Sequence, residues 1–117
     1  MNEKFKRAIL NALSDEDMVN ILNASQEKLV SVQDIIKEHN ISHTTAYRKI
    51  KWMLENDLIS IKKMEFTNDG KKFSLFKSTI LSVNIKYENN VVTVEEIKNM
   101  NILEETAAKF FSLDDVP

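Results

Sequence analysis

The chain has 117 residues, 43% of them hydrophobic, with a single glycine, a single proline and no cysteine. This length and composition predict one compact unit with a sizeable core rather than flexible linkers or low-complexity tails. The lack of cysteine excludes disulfides, thiolate metal sites and thiol-based redox sensing. No apolar run reaches the roughly 18 residues of a membrane span and the charged N-terminus lacks a signal-peptide layout, so we expect a cytoplasmic protein.

The net charge of −2 is distributed unevenly along the chain. Basic residues number 5 against 7 acidic ones over residues 1–41, 8 against 4 over residues 42–77, and 3 against 7 over residues 78–117. The middle segment is therefore +4, while the flanks are −2 and −4. Nucleic-acid binding requires positive charge opposite the phosphates, which makes this segment the candidate contact region. A solvated surface without a ligand is the alternative.

Three helices are predicted in the first 40 residues from apolar stripes of helical period. The first covers about residues 4–13, and Ser14 is then the predicted N-cap of a second helix with an acidic first turn. Ser31 and Asp34 repeat this pattern before a third helix. That helix is expected to end near Asn40, a residue that tolerates a left-handed backbone.

A fourth helix follows after a turn of only a few residues. Ser42 is its predicted N-cap, and Ile41 is expected to be buried in the turn. Its apolar stripe consists of Ala46, Ile50, Met53 and Leu54. Two helices joined this tightly form a helix-turn-helix, whose second helix is typically the one that enters the major groove.

A β-hairpin is predicted after this helix. Imperfect alternation from Ile59 leads to the turn sequence Thr67-Asn68-Asp69-Gly70, where Asp-Gly is expected to supply positive φ angles, and Phe73 and Leu75 mark the return strand. Helices followed by a hairpin in this order form a winged helix. We therefore predict an α+β fold with a winged helix-turn-helix module over residues 1–80.

Residues 81–117 are predicted to extend the same domain. Period-2 alternation from Leu81 to Tyr87, the turn signal Asn89-Asn90 and the β-branched run that follows indicate a second hairpin. A terminal helix with Phe110 and Phe111 is predicted after it. This acidic, apolar segment is not expected to contact DNA, and we expect it to contribute to a homodimer interface. Folding back onto the winged helix as ordinary core is the alternative.

Three segments resemble arsenic-repressor-like winged-helix regulators. They are Ile9 to Leu22, Ile41 to Ile59, and Asp69-Gly-Lys-Lys-Phe-Ser-Leu-Phe, which is similar to the wing of archaeal members. The resemblance covers roughly residues 5–80. It implies a transcriptional regulator, generally a homodimer whose recognition helices enter adjacent major grooves.

The chain departs from this family at two points. Asp57 stands at the helix end where many members carry glycine, so the wing is expected to leave at a slightly different angle. Metal-sensing members use clusters of cysteine or histidine, whereas this chain has only His39 and His43. Two histidines without thiolate or carboxylate companions make a poor metal site, so we expect no metal and no cofactor. His39 is interpreted as a solvated helix end.

The candidate DNA contacts lie on one face of the fourth helix and on the wing. They are Ser42, His43, Thr44, Thr45, Tyr47, Arg48, Lys49, Lys51, Lys62, Lys63, Lys71 and Lys72. Arg48 suits a guanine edge or a phosphate. Thr44 and Thr45 lie in the first helical turn, where hydroxyls meet phosphate or a thymine methyl.

Lys49 and Lys51 are interpreted as electrostatic support. The lysines of the wing are expected to lie on both of its arms, close to its tip, and are interpreted as contacts with flanking phosphates or the minor groove. The alternatives are a surface ion pair for Arg48, packing for Tyr47, and protection of a strand edge for the wing lysines.

The sequence contains no motif typical of an enzyme: there is no phosphate-binding glycine loop, no cysteine nucleophile and no concentrated set of carboxylates and histidines. The leading hypothesis is therefore a sequence-specific DNA-binding transcriptional regulator. The competing hypothesis is a winged helix that binds another protein within a transcription or chromatin assembly.

Overall fold

The computed structural model describes residues 2–100. The predicted terminal helix, with Phe110 and Phe111, lies outside the described residues. Residues 2–100 form four helices and two separate antiparallel hairpins, so the α+β class is confirmed. This arrangement is compatible with a winged-helix layout. No helix within these residues is both long enough and apolar enough to cross a membrane.

The helices and strands follow one another in chain order. The helices are α1 (Glu3–Leu13), α2 (Glu16–Ala24), α3 (Val32–His39) and α4 (His43–Glu55). The strands are β1 (Ile59–Phe66), β2 (Lys72–Ser78), β3 (Ile80–Glu88) and β4 (Val91–Lys98). We call the β1–β2 pair the wing and the β3–β4 pair the second hairpin.

The N-terminus of α2 lies one residue later than the sequence prediction. Asp15 is the N-cap, and its carboxylate accepts a hydrogen bond of 3.0 Å from the backbone N–H of Met18. Ser14 instead closes α1, where its hydroxyl donates to the carbonyl of Asn11 at 2.7 Å. Serine and aspartate cap helices about equally well. The prediction of Ser14 as the cap was wrong because Ser14 closes α1, and the connection between the helices is one residue longer than predicted.

The helix-turn-helix connection follows the sequence prediction closely. Ser31 and Asp34 form a capping box, with hydrogen bonds of 2.9 and 3.2 Å between each side chain and the other residue's backbone N–H. Asn40 ends α3 with a left-handed φ of 52°. Ile41 is buried in the turn, and Ser42 caps α4. These contacts fix the orientation of α4 relative to α3.

A single core joins the helices to the base of both hairpins. Its main members are Ala8, Ile9, Ala12, Met18, Ile21, Leu22, Val30, Ile35, Ala46, Ile50, Met53, Leu58, Ile59 and Phe76. Most residues of the predicted apolar stripes are buried. Leu13, at the end of the α1 stripe, is exposed, and Phe5, Ile36 and Leu54 are only half-buried. The opposite faces of the helices remain in solvent.

The base of the wing is attached to the connection between α2 and α3. Val30 forms an isolated antiparallel bridge with Phe76, through backbone hydrogen bonds of 3.0 and 2.8 Å. The backbone N–H of Ser78 also donates to the carbonyl of Ser25 at 2.9 Å. These backbone hydrogen bonds hold the end of β2 to the segment between α2 and α3, so the base of the wing has a fixed position.

Positive φ angles occur at the points where the chain reverses. In the wing turn Gly70 alone has a positive φ, of 84°, so the expectation that Asp69 shares it was wrong. Asp57, at the end of α4, has φ 60° and adopts the left-handed backbone that glycine supplies in the resembled family. Asn89 and Asn90 have φ 52° and 65°, which is the two-residue turn predicted for the second hairpin.

Candidate nucleic-acid interface

The side of α4 that faces away from the core carries three polar residues in line. Thr44, Arg48 and Lys51 are spaced four and three residues apart, so they lie on successive turns of one face, and all three are exposed. None of the ion pairs among residues 2–100 includes Arg48, so its predicted alternative as a surface ion pair is not what the structure shows. Its guanidinium is available for an external acceptor.

An aromatic pair lies beside this line of residues. The rings of His43 and Tyr47 stack with centroids 5.7 Å apart and planes 19° from parallel. Tyr47 is 51% exposed, so packing into the core, the predicted alternative, is excluded. The stacked pair presents a flat surface and polar ring atoms to solvent, which suits contact with sugar, phosphate or a base.

Ser42 and Thr45 have structural roles at the start of α4. The hydroxyl of Ser42 accepts a hydrogen bond from the backbone N–H of Thr45 at 3.3 Å, which satisfies one of the free donors of the first turn. Ser42 is exposed and Thr45 is half-buried. Of the two predicted contacts, Ser42 is therefore the more accessible.

Lys49, interpreted from the sequence as electrostatic support for DNA binding, does not belong to the exposed face. Its ammonium lies 2.9 Å from the carboxylate of Asp15 and 2.8 Å from that of Asp17, and the side chain is only 13% exposed. Helical geometry explains this position, because Lys49 lies three residues after Ala46 and four before Met53, both buried. We call Asp15, Asp17 and Lys49 the α2–α4 ion cluster.

The ion cluster changes the titration of two of its members. Burial disfavours the carboxylate of Asp15, but hydrogen bonds from Lys49 and from the Met18 amide outweigh it and lower the pKa of Asp15. Hydrogen bonds to Asp17 and Asp15 raise the pKa of Lys49. The cluster thus holds the N-terminus of α2 to the middle of α4 at neutral pH.

A cleft of about 220 Å³ connects α4 to the wing. Tyr47 lines one side, and Lys72, Phe73 and Ser74 of β2 line another. The start of α3, residues 31–33, closes the cleft. The exposed face of α4 and the beginning of β2 are therefore adjacent parts of one surface.

The wing lysines occupy different positions rather than one cluster at the tip. Lys71 lies in the turn, and Lys72 is the first residue of β2, opposite Phe66. Lys63 lies three pairs below the tip, opposite Leu75, and Lys62 occupies a β-bulge beside it. The prediction that Lys62 and Lys63 lie close to the tip was therefore wrong, since the turn begins only after Phe66.

One wing lysine is paired with an acidic neighbour. The ammonium of Lys63 lies 2.7 Å from the carboxylate of Glu65, and this hydrogen bond raises the pKa of Lys63. Lys62, Lys71 and Lys72 are exposed and take part in none of the ion pairs among residues 2–100. Accessible positive charge on the wing thus lies mainly at these three positions.

The two histidines occupy different environments. His43 is exposed beside Tyr47, whereas His39 is partly buried and its Nε2 has no hydrogen-bond partner among the described residues. The interpretation of His39 as a solvated helix end was therefore wrong. Across residues 2–100, no three histidine, aspartate or glutamate side chains are grouped so that they can hold a metal ion.

Two parts of this surface were not found from the sequence. The ion cluster joins Lys49 to carboxylates more than 30 positions away in the sequence. The spacing of Lys49 from Ala46 and Met53 does indicate that Lys49 lies beside the core, but it does not identify the partners. The cleft depends on how α3, α4 and β2 pack, and no local pattern reveals it.

No protein-family model matches this chain, and no curated protein matches it.

Proposed function

We propose that this protein binds duplex DNA sequence-specifically and regulates transcription as a winged helix-turn-helix homodimer. In this proposal α4 enters the major groove and the wing contacts the flanking backbone. The observation that supports it best is the continuous surface formed by the exposed face of α4, the cleft and the start of β2. The resemblance of residues 5–80 to arsenic-repressor-like regulators points to the same function.

The chemistry of this surface suits a groove and its backbone. Arg48 offers a planar fork that matches guanine or phosphate, and Thr44 offers a hydroxyl and a methyl group one turn away. Lys51 and Lys72 add positive charge on either side of the aromatic pair. Groups suited to phosphate and groups suited to base edges lie side by side on this surface, which is the combination that sequence-specific DNA binding requires.

Binding to a diverse pool of duplex DNA tests this proposal. We expect fragments to be retained at low salt, and the logarithm of the binding constant to fall linearly with the logarithm of salt concentration. The slope is about −0.9 per phosphate neutralised, so three to five lysine and arginine contacts per protomer, which are six to ten per dimer, predict roughly −5 to −9. Sequencing of the retained fragments should reveal a preferred site.

The control is the same pool with a variant in which Arg48, Lys51, Lys71 and Lys72 are all replaced by glutamine, which removes the charge and keeps a polar, unbranched side chain. This variant should retain no fragment. Failure of the natural protein to retain any fragment at low salt would overturn the DNA proposal in favour of a protein partner.

A further inference from the structure

The second hairpin is an incomplete sheet within the described residues. β3 and β4 pair only with each other. The other hydrogen bonds to the backbone of β3 lie at its beginning, where Ile80 bonds to the hydroxyl of Ser78 and the side chain of Gln26 donates to the carbonyl of Leu81 at 2.9 Å. A two-stranded hairpin alone is marginally stable in water. Its unpaired edge is also a template for another strand.

The apolar face of this hairpin is buried at the base and exposed toward the turn. Val83, Ile85 and Tyr87 lie opposite Glu96, Val94 and Val92 and share one face. Val94 is buried and Val83 and Val92 pack against the core. In contrast, Ile85 is 43% exposed and Tyr87 is 69% exposed. The core therefore covers only half of this face.

The free hydrogen-bonding groups of β3 belong to the same residues. In a two-residue hairpin the residues flanking the turn, here Glu88 and Val91, hydrogen-bond to each other. Along β3 from that pair, every second residue directs its backbone N–H and C=O away from β4. These residues are Tyr87, Ile85 and Val83. The carbonyl of Leu81, further along this edge, already accepts a hydrogen bond from the Gln26 side chain.

We propose that a second copy of this chain pairs with β3 in antiparallel orientation, with the two-fold axis at Ile85. The two hairpins then form one four-stranded sheet in the order β4, β3, β3 of the second copy, β4 of the second copy. This proposal deepens the proposed function by specifying how the homodimer forms.

Side-chain complementarity selects this register. Ile85 lies opposite itself and Val83 lies opposite Tyr87, so apolar residues meet on one face. On the other face Asn84 lies opposite Lys86 and Ser82 opposite Glu88, and no like charges are paired. Only the edge that Gln26 leaves free, residues 82–88, is used.

Neighbouring registers are less favourable. Centring the pair on Lys86 places two ammonium groups opposite each other, which destabilises a sheet. Centring it on Asn84 requires pairing at Leu81, whose carbonyl Gln26 already occupies. Pairing through β4 centred on Glu95 places two carboxylates opposite each other. The charges of the strands therefore favour β3 centred on Ile85.

The register also sets the distance between the two winged-helix units. Ile80 is the first residue of β3 and lies five residues from the axis. At about 3.4 Å per residue, the two copies of Ile80 are roughly 34 Å apart along the strands. The points at which the two winged-helix units join the shared sheet are therefore about one turn of B-DNA apart, a spacing of the size that a pair of recognition helices needs.

Cross-linking in the absence of DNA tests the register. The chain has no cysteine, so Ile85→Cys introduces a single thiol. Directly opposed residues have Cα atoms about 5.5 Å apart, within the range of a disulfide. We expect mild oxidation of this variant to give a covalent dimer, and a mixture of Val83→Cys and Tyr87→Cys variants to cross-link to each other.

The matched control is Lys86→Cys. This residue neighbours Ile85 on the same strand, but the register places it opposite Asn84, so two introduced thiols are too far apart to bond. We expect little covalent dimer from it. Equal cross-linking of Ile85→Cys and Lys86→Cys would overturn the register.

Light scattering tests the interface independently of DNA binding. The natural protein should be a dimer at tens of micromolar, and Ile85→Lys should be a monomer with unchanged circular dichroism, because Ile85 lies outside the core. Val91→Lys removes another exposed apolar residue of the hairpin, away from the β3 edge, and should remain a dimer. A natural protein that stays monomeric at this concentration would overturn the proposal. It would do so even if a variant without residues 101–117 formed a dimer.

Discussion

Replacing Arg48 by alanine is expected to remove most of the discrimination between the preferred DNA site and unrelated DNA. Arg48 lies at the centre of the exposed line on α4 and has no ion-pair partner among residues 2–100. A bidentate contact with a base is worth about 1–3 kcal/mol of discrimination, which is roughly a 5- to 150-fold change in the specificity ratio. Competition binding with specific and random duplexes measures this ratio.

The matched comparison is the double replacement of Lys71 and Lys72 by alanine. These residues lie at the turn and the start of β2, where the proposed contacts are with phosphate. We expect specific and random duplexes to lose affinity by about the same factor. The salt slope should become shallower by roughly two to four, because the dimer loses four lysines. If Arg48→Ala also lowered both affinities equally, Arg48 would be a phosphate contact and sequence would be read elsewhere.

The second large effect is expected from Lys49→Met, which breaks the α2–α4 ion cluster. Methionine retains the length and apolar stem of lysine but leaves the carboxylates of Asp15 and Asp17 without their shared donor. Removing the hydrogen-bond donor of partly buried polar groups lowers the free energy of unfolding by about 1–3 kcal/mol. Denaturant unfolding at pH 7 measures the difference, and Lys51→Met, on the exposed face of the same helix, is the control expected to change stability little.

The effect of Lys49→Met should depend on pH in a defined direction. The folded-state pKa of Asp15 is lowered, so its contribution is complete above the unfolded value of about 3.9 and is lost as pH falls through the folded value. The raised pKa of Lys49 makes its contribution complete below about 10.4 and lost at higher pH. The stability difference should be flat from about pH 5 to 9 and shrink below pH 3. A difference that persists unchanged in acid would contradict an electrostatic origin.

Local signals predicted most elements of the fold, because short-range physics fixes their ends. The capping box of Ser31 and Asp34, the left-handed Asn40 and the Asn89-Asn90 turn each depend on residues within a few positions of one another. At Ser14 and Asp15 two suitable caps are adjacent, and the length of the connection between helices decides which one is used. That length is a tertiary property.

The candidate site was predicted less completely, because it depends on packing between distant segments. The position of Lys49 follows from helical periodicity, but its partners Asp15 and Asp17 are found only when α2 and α4 are in contact. In the wing, a β-bulge between Ile61 and Lys63 interrupts the alternation of faces. This irregularity explains the imperfect alternation of apolar and polar residues in the sequence there. It also explains why that alternation did not predict which face of the strand each lysine occupies.

The bridge between Val30 and Phe76 divides the wing into two parts with different freedom of motion. At the base, both backbone hydrogen bonds of the bridge and the burial of Phe76 resist local opening. The tip around Gly70 is exposed and carries no core residue. Fluctuations of the tip on the nanosecond to microsecond scale typical of loops therefore need not disturb α4. In the proposed DNA complex, the wing would adjust to grooves of different width while the orientation of α4 stays constant.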